Sequence, residues 1–161
     1  MELQKNRDNV SNQDTEETRQ YVTFLVDGET YGVSVMRVQS INEMTEITQV
    51  PKALSFIKGV INLRGAVIPV IDMRRKFNIA EKEYDSFTVI LIVEARGRLI
   101  GMIVDAVSDV IGIPVSTIQR NISYSGKLEK SSIEGVGRIG ESLVVLLDVD
   151  SFLNSDSLQN G

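Results

Sequence analysis

The sequence predicts an all-β protein, formed by two similar small barrels with a crevice between them. Three observations predict this class. Apolar and polar residues alternate through short segments, glycine stands at or beside regularly spaced turns, and the second half of the chain repeats the first. Helical periodicity is sparse by comparison. The elements are therefore expected to follow one another as a series of hairpins.

Four β-hairpins are predicted, because each pair of extended segments flanks a dipeptide that contains glycine. Glycine accepts the positive φ that tight hairpin turns require. In chain order the turns are Asp27-Gly28, Arg64-Gly65, Arg96-Gly97 and Gly140-Glu141. The strands are predicted at 21–26 and 30–35, 59–63 and 66–72, 87–95 and 98–111, and 134–139 and 142–149.

Proline and aspartate add detail to this series. Pro69 has no N–H to donate, so its strand is predicted to be an edge strand or to carry a bulge. Asp72 and Asp148 each follow a strand, which is typical of an Asx turn or a helix cap. Short helical turns are predicted at 73–77, 116–119 and 148–153, and the pattern over 36–44 fits either helix or strand.

The two halves of the chain resemble each other. Residues 59–72 align without a gap with residues 135–148, and both read Gly-Val, a turn, an apolar ladder and then Asp. Residues 32–38 align in the same way with residues 101–107. A chance likeness between any two hairpins is the alternative, but the paired Gly and Asp favour a duplication. A duplicated β unit predicts the two barrels.

Composition excludes several classes of function. The net charge of −5 and the pI of about 4.8 argue against nucleic-acid and anionic-lipid partners. The absence of Cys and His excludes disulfides, thiolate zinc sites, Ser-His-Asp triads and a phospho-accepting histidine. Four acids are the best candidate metal ligands, but their spacing matches no calcium loop: Asp105, Asp109, Asp148 and Asp150. We expect no cofactor and no metal.

Domain organisation follows from hydrophobicity. Residues 1–19 are predicted to be a disordered tail, residues 20–153 a single domain of two β-barrel subdomains, and residues 154–161 a flexible tail. No apolar run reaches the ~18–20 residues that span a bilayer, and the start of the chain lacks the apolar segment of a signal peptide. We expect a cytoplasmic protein with no direct membrane insertion.

Two basic features remain. Arg74-Arg75-Lys76 is interpreted as a solvated helix face with cations near its C-terminus. Arg64 stands at a hairpin tip, where Gly, Asn, Asp or Pro are preferred. Because arginine contributes nothing to the turn itself, Arg64 is predicted to face a partner or to pair with an acid. An ordinary solubilising charge is the alternative.

Four segments in this order resemble the motifs of the CheW-type chemotaxis coupling proteins. The core motif is similar to FIKGVINLRGAVIPVIDMRRKF at 56–77. The earlier motif resembles YGVSVMRVQSI at 31–41, and later ones resemble IGMIVDAVSDVIGI at 100–113 and LVVLLDVDSFL at 143–153. The resemblance spans residues 21–153, nearly everything outside the two tails.

This resemblance implies a fold and a role. The family folds as two five-stranded SH3-like β-barrels around a shared core with few short helices, and the sequence leaves open whether strands are exchanged between them. Its members are non-enzymatic adaptors that join the CheA histidine kinase to methyl-accepting chemotaxis receptors. The kinase's regulatory domain is expected to associate barrel to barrel, and the receptor's helical hairpin tip to lie in a groove. The chain is expected to be monomeric alone and to assemble into receptor arrays at the membrane.

Two other functions are compatible with the sequence. The first is an adaptor of the same fold that serves a receptor array for motility or development rather than chemotaxis. The second is a small β-barrel enzyme that uses only carboxylates, which is the weakest because paired carboxylates of glycosidases normally come with aromatic sugar platforms, whereas only 6% of these residues are aromatic and none is Trp. Phosphorylatable receiver domains of ~120 residues accompany hybrid adaptors of this family, and the chain has no room for one.

The resemblance also implies site residues. Val35 and Val38 are expected at a receptor- or kinase-binding surface, Gly59 to let the chain bend, and Arg64 to be important for coupling. Ser40 departs from the family, which usually has an acid there that pairs with the arginine, so either Glu43 or Glu46 substitutes or Arg64 is unpaired. The complete predicted binding site is Val35, Val38, Ser40, Ile57, Gly59, Asn62, Leu63, Arg64 and Gly65.

Overall fold

β-strands make up most of the computed structural model, which describes residues 17–120, 128 and 130–153. The strands are β1 (Thr18–Val26), β2 (Glu29–Ser34), β3 (Val38–Glu43), β4 (Ile57–Leu63), β5 (Ala66–Asp72), β6 (Val89–Ala95), β7 (Arg98–Val104), β8 (Ala106–Pro114), β9 (Ile133–Ile139) and β10 (Ser142–Leu147). The helices are α1 (Met73–Lys76) and α2 (Val149–Phe152), with 3-10 turns at Val35–Arg37, Val115–Thr117 and Lys130–Ser132.

The strands form two five-stranded sheets that exchange strands between the halves of the chain. The first sheet has the order β8-β1-β2-β10-β9, and the second has the order β3-β6-β7-β5-β4. Each sheet therefore combines two strands of one half with three of the other. Hairpins pair antiparallel, while β2 with β10 and β5 with β7 pair parallel across the halves. Neither half can complete a sheet alone.

The predicted all-β class with two five-stranded units is confirmed. Among the described residues, however, continuous pairing does not close either sheet into a complete barrel. Single bridges, Thr48 with Val60 and Gln119 with Val136, are all that continues the pairing beyond β4 and β9. The reason is that the segment between β3 and β4 leaves extended geometry and touches β4 at one point only.

The four predicted hairpin turns are present, and their backbone geometry explains the glycines. Asp27 and Gly28 have φ of 52° and 78°, and Arg64 and Gly65 have 53° and 88°. Arg96-Gly97 repeats the pattern with 52° and 77°. Positive φ at both central residues is the type I′ geometry, which matches the twist of the flanking strands.

The predicted duplication accounts for two equivalent close approaches. Gly59 in β4 and Gly135 in β9 each face a bridging segment of the chain. A Cβ on Gly59 would lie 2.2 Å from the Thr48 carbonyl oxygen, and one on Gly135 would lie 2.9 Å from the Gln119 oxygen. The repeated Gly-Val sequence therefore keeps the backbone bare where each bridge forms.

Pro69 lies in an interior strand and in regular register, so both predicted alternatives, an edge strand and a bulge at Pro69, are wrong; the register shift of this hairpin lies between Ile57 and Gly59 in β4. β5 pairs with β4 on one side and β7 on the other. Val60 opposes Pro69, but the N–H and C=O of Val60 bond to Thr48 and so point away from β5. Along an antiparallel ladder, hydrogen-bonded and non-hydrogen-bonded residue pairs alternate, and Val60 with Pro69 is a non-hydrogen-bonded pair. The Pro69 nitrogen therefore faces β7. Pairing with β7 begins only at Val70, and the missing N–H breaks no ladder bond.

Three predicted boundaries change for tertiary reasons. The predicted strand 98–111 breaks at Asp105, whose carboxylate turns to Arg74. The undecided segment 36–44 is a 3-10 turn followed by β3. Thr18 and Arg19, which were predicted to belong to the disordered tail, instead pair with β8. The rest of that tail and the predicted tail at 154–161 lie outside the described residues.

The main core lies between the two sheets and draws on both halves. Four rings run through it: Phe24 contacts Tyr31, Tyr31 contacts Phe77 and Phe77 contacts Phe152, with ring centroids 5.8, 5.0 and 5.8 Å apart. A smaller apolar cluster fills each sheet's own interior. Asp72 and Asp148 cap α1 and α2 through their side chains, as predicted. The shared core fixes the two sheets against each other.

Candidate functional site

The β4–β5 hairpin presents Arg64 to solvent at its tip. The Gly65 amide donates to the Asn62 Oδ1 at 2.9 Å, and this Asx-type bond fixes the turn. Asn62, Arg64 and Gly65 are exposed, whereas Leu63 is half-buried. The turn is therefore held by Asn62 and Gly65, and the guanidinium of Arg64 is left for another purpose.

Arg64 has no hydrogen-bond or salt-bridge partner among the described residues. Neither Glu43 nor Glu46 pairs with it, and Ser40 instead accepts a bond from Asn42 at 2.8 Å. Of the alternatives left open by the sequence, the unpaired arginine is the one observed. An exposed, unpaired charge at a rigid hairpin tip is available to a partner carboxylate.

The second half carries the opposite charge at the equivalent surface. Asp109 in β8 is the repeat equivalent of Ser40, and Gly140 is the equivalent of Arg64. Asp109 is exposed, and its carboxylate accepts only a neighbouring backbone N–H among the described residues. The second sheet thus shows a free cation and the first sheet a free anion.

The remaining four predicted residues lie in two different places. Ile57 is buried, with 8% of its surface exposed, and Gly59 forms the close approach to Thr48. Val35 and Val38 are half-buried and pack against the main core. Ile57 and Gly59 therefore shape β4 from within, whereas Val35 also lines a groove.

A groove of about 610 Å³ lies beside Val35, along the first sheet and the 3-10 turn that follows β2. Met36 stands in it with 88% of its surface exposed, although it is a large apolar side chain. The groove is lined by Glu17, Thr18, Arg19, Gln20, Val33, Ser34, Val35, Met36, Arg37, Glu134, Leu147, Asp148 and Val149. An apolar floor with a charged rim suits an amphipathic partner.

A cap and an ion pair with a further backbone bond hold the 3-10 turn that presents Met36. The Ser34 hydroxyl accepts from the Met36 amide. Arg37 forms a two-pronged pair with Asp150 of α2, at 3.2 and 2.7 Å. The Arg96 amide donates to the same carboxylate at 3.0 Å. The turn is therefore tied to the second half of the chain.

One side of the groove contains a short hydrogen bond. The Tyr21 hydroxyl donates to Glu134 at 2.6 Å, and Arg19 lies 3.5 Å from the same carboxylate. Burial, and then the bond to Glu134, raises the pKa of Tyr21 to about 12. The hydroxyl therefore remains a donor across the neutral range and keeps Glu134 pointed along the groove.

At the opposite junction between the sheets, the helix supplies the arginine of the ion pair rather than the acid. Arg74 of α1 bonds Asp105 through two nitrogens at 2.9 and 2.7 Å. Asp27, at the β1–β2 turn, lies 3.6 Å from Arg74, and its amide donates to Asp105. Arg74 thus meets two acids, whereas Asp150 of α2 pairs with the Arg37 guanidinium and accepts from the Arg96 backbone amide.

Replacing Asp105 with asparagine is expected to lower the free energy of unfolding by about 2 kcal/mol near neutral pH. The Arg74 and Asp105 side chains are 14% and 19% exposed, so the pair is poorly solvated. The more exposed Asp150→Asn is the matched control, with less than ~1 kcal/mol expected. Urea unfolding of the three proteins measures both values, and equal effects would contradict the assignment.

The difference in the free energy of unfolding between wild type and Asp105→Asn should depend on pH. Burial by itself raises the pKa of Asp105, but the bonds from Arg74 and the Asp27 amide outweigh it, so the pKa falls below the ordinary 3.8. A carboxylate with a lowered pKa stabilises the fold above 3.8 and loses that contribution as pH falls through its folded value. The gap between wild type and Asp105→Asn should therefore close below about pH 4.

The described residues contain neither a metal-binding cluster nor a membrane-spanning helix. No group of three or more acidic side chains there is placed to hold a metal ion. No helix of that part of the chain has the length and apolar character to cross a bilayer. The surfaces that stand out are the hairpin tip and the groove.

Comparison with known protein families identifies the family of this chain. The model of the CheW-like domain matches residues 20–157, well over half of the 161-residue chain. The chain belongs to the CheW-like family. The predicted resemblance is therefore confirmed.

CheW-like relatives match along nearly their whole length. The chain is 37% identical to chemotaxis protein CheW of Bacillus subtilis over 139 residues, covering 86% of this chain and 89% of that protein. It is 32% identical to CheW of Klebsiella aerogenes over 140 residues, covering 87% and 84%. The crystal structure of scaffolding protein TtCheW from Thermoanaerobacter tengcongensis superposes with a TM-score of 0.78 at 30% identity, covering 84% of this chain and 88% of that one.

The sequence interpretation predicted a groove for a helical partner but not the residues that line it. Its lining comes from residues as far apart as Glu17 and Val149, so no local spacing marks it. The one available signal was Met36, because a large apolar residue between the predicted Val35 and Val38 belongs to the same motif. The structure places Met36 at the surface and both valines beneath it.

Proposed function

We propose that this chain is a coupling adaptor of bacterial chemotaxis that holds a receptor's helical hairpin in its groove and the regulatory domain of the CheA kinase at its barrel surface. Membership of the CheW-like family, a family of scaffolds, is the observation that carries the adaptor role. Recruitment to receptor arrays at the membrane and a monomeric state in isolation belong to the same proposal. No step of this role requires catalysis.

The groove supports a helical partner. Met36 supplies an exposed apolar anchor, and Val33, Val35 and Val149 provide an apolar floor. The rim carries both signs of charge, with Arg19 and Glu134 on one side and Arg37 near the other. A helix with one apolar stripe and polar flanks fits such a surface, because its anchors recur every three to four residues.

The β4–β5 hairpin supports the kinase contact. The resemblance implies barrel-to-barrel association, and Arg64 stands free at the tip of one sheet with exposed Val67 nearby in the same hairpin. A partner carboxylate would pair with Arg64 where the family usually supplies an acid from its own chain. Because Ser40 removes that internal acid, the coupling arginine of this chain depends more directly on its partner.

Relatives favour chemotaxis over another receptor array. The curated relatives are named chemotaxis proteins in organisms as distant as Bacillus subtilis, Treponema pallidum and Helicobacter pylori. No observation in this structure favours a motility or developmental array instead.

The test is assembly of the three components. Purified chain, the CheA regulatory domain and a receptor signalling hairpin should co-elute as one complex in size-exclusion chromatography. Nuclear magnetic resonance shifts should then map the hairpin to the groove and the kinase domain to the Arg64 surface. Mutually exclusive binding, or overlapping shifts for the two partners, would contradict the proposed two-surface adaptor.

A further inference from the structure

The duplication repeats the residues of the groove in the other half of the chain. Each segment that lines the first groove has a repeat equivalent. Met102–Ala106 corresponds to Val33–Arg37, Ile71–Met73 corresponds to Leu147–Val149, Lys58 corresponds to Glu134, and Phe87–Val89 corresponds to Thr18–Gln20. The equivalents of the floor residues Val33, Val35 and Val149 are Met102, Val104 and Met73, which are also apolar, and we call this equivalent set the second groove.

The segment that joins the two halves lies across this second groove. We call residues 78–87 the connector; they run from the end of α1 toward β6. The Tyr84 hydroxyl donates to Asp72 at 2.8 Å, and the Lys58 Nζ lies 5.3 Å from the centre of the Tyr84 ring. Asp72 and Lys58 are the equivalents of Asp148 and Glu134, which line the open groove. Tyr84 thus contacts the positions where a partner contacts the first groove.

Further bonds hold the connector in place. The Arg74 Nη1 donates to the Ala80 carbonyl oxygen at 2.8 Å, and Arg75 pairs with Glu81 at 2.9 Å. Burial, and then the bond to Asp72, raises the pKa of Tyr84, so its hydroxyl stays a donor at neutral pH. The connector is anchored at several points along its length, as a fixed cover requires.

Burial differs between the two grooves as this cover predicts. Val104 is 1% exposed, whereas its equivalent Val35 is half-buried. Asp72 is 3% exposed, whereas Asp148 is half-buried. Thr88 is 8% exposed, whereas its equivalent Arg19 is exposed. These three positions are accessible in the first groove and covered in the second.

We propose that the connector is the built-in occupant of this second groove, and that by filling it the connector limits the chain to one helical partner. The helical partner rests on the proposed function, but the covering of a preformed apolar groove does not. Release of Tyr84 would uncover a site of the same class as the first, an apolar trough for an amphipathic helix. The asymmetry of the adaptor then comes from its connector rather than from its two sheets.

The first arm of the test needs no receptor. Tyr84→Ala should raise the amide exchange rate of the connector by about tenfold to a hundredfold, the effect of losing a bond to a charged group. It should also create binding of the apolar dye anilinonaphthalene sulfonate while β7 keeps its protection. Glu83→Ala, in the same exposed segment, is the matched control and should match wild type.

The second arm measures stoichiometry. A chemoreceptor signalling hairpin should bind wild type at one per chain and Tyr84→Ala at two per chain by titration calorimetry. Unchanged exchange and dye binding, or a stoichiometry of one with the connector released, would overturn the proposal. Tyr84→Phe, which keeps the ring, covers the case in which Tyr84→Ala unfolds; wild-type exchange and dye binding in it would also overturn the proposal. A wild type that binds no hairpin refutes the proposed function, while the first arm still decides the connector's role.

Discussion

Met36→Asp is expected to weaken binding of the receptor hairpin by about a hundredfold or more, the loss typical of a central interface anchor. Met36 is 88% exposed in the free protein, so the substitution removes no core packing. In the complex it would place a charge among Val33, Val35 and Val149 without a partner, which is costly. The fold should be unaffected, while the groove should lose its helical ligand.

Isothermal titration calorimetry of the receptor hairpin measures this loss. Leu143→Asp is the matched control, because Leu143 is an apolar residue that is 58% exposed and lies in β10 outside the groove lining. The control should bind as wild type does. Equal losses in both variants would mean that surface charge, rather than the groove, governs binding.

Arg64→Glu is expected to abolish receptor-dependent activation of the kinase while changing the free energy of unfolding by less than ~0.5 kcal/mol. The side chain is exposed and has no partner among the described residues, so the fold gains nothing from it. At the kinase interface a reversed charge would oppose the partner carboxylate. Reversing or removing a desolvated interface charge typically costs ~2–5 kcal/mol of binding.

Kinase autophosphorylation in receptor-containing membranes, together with thermal denaturation, measures both effects. Arg98→Glu is a matched control, since Arg98 is an exposed arginine that begins β7. It should couple normally. A loss of fold in Arg64→Glu would mean that the guanidinium has a structural role, and normal coupling would remove the hairpin tip from the kinase interface.

The hairpins could be predicted because their causes are local. Turns such as Asp27-Gly28 and Arg96-Gly97 require glycine beside a residue of positive φ, and the flanking alternation fixes which face is buried. The duplicated Gly-Val pairs were likewise visible, since each marks a backbone contact within one sheet. These features depend on neighbours in sequence and leave a pattern there.

The tertiary features could not be predicted because their causes lie far apart in the chain. The break at Asp105 follows from a bond to Arg74 on another element. The interior position of Pro69 follows from where pairing with β7 begins. Strand exchange between the halves alters no periodicity, because each strand keeps the same buried face whichever half supplies its neighbour.

The candidate site also contains both features that the sequence predicted and features that it did not. Arg64 was found from its unusual place at a turn, and the family resemblance gave it a role. The binding role of Met36 was not predicted, because the groove is lined by residues from both ends of the chain. The position of the connector over the second groove could be seen only in the structure, because no sequence pattern indicates that Tyr84 bonds to Asp72.

Receptor-dependent kinase activity in a reconstituted system tests the central claim most directly. Kinase, receptor-containing membranes and the purified chain are combined, and autophosphorylation is measured with each component omitted in turn. We predict that activation, and its suppression by attractant, require all three components. A kinase that responds to the receptor equally well without this chain would contradict the adaptor account.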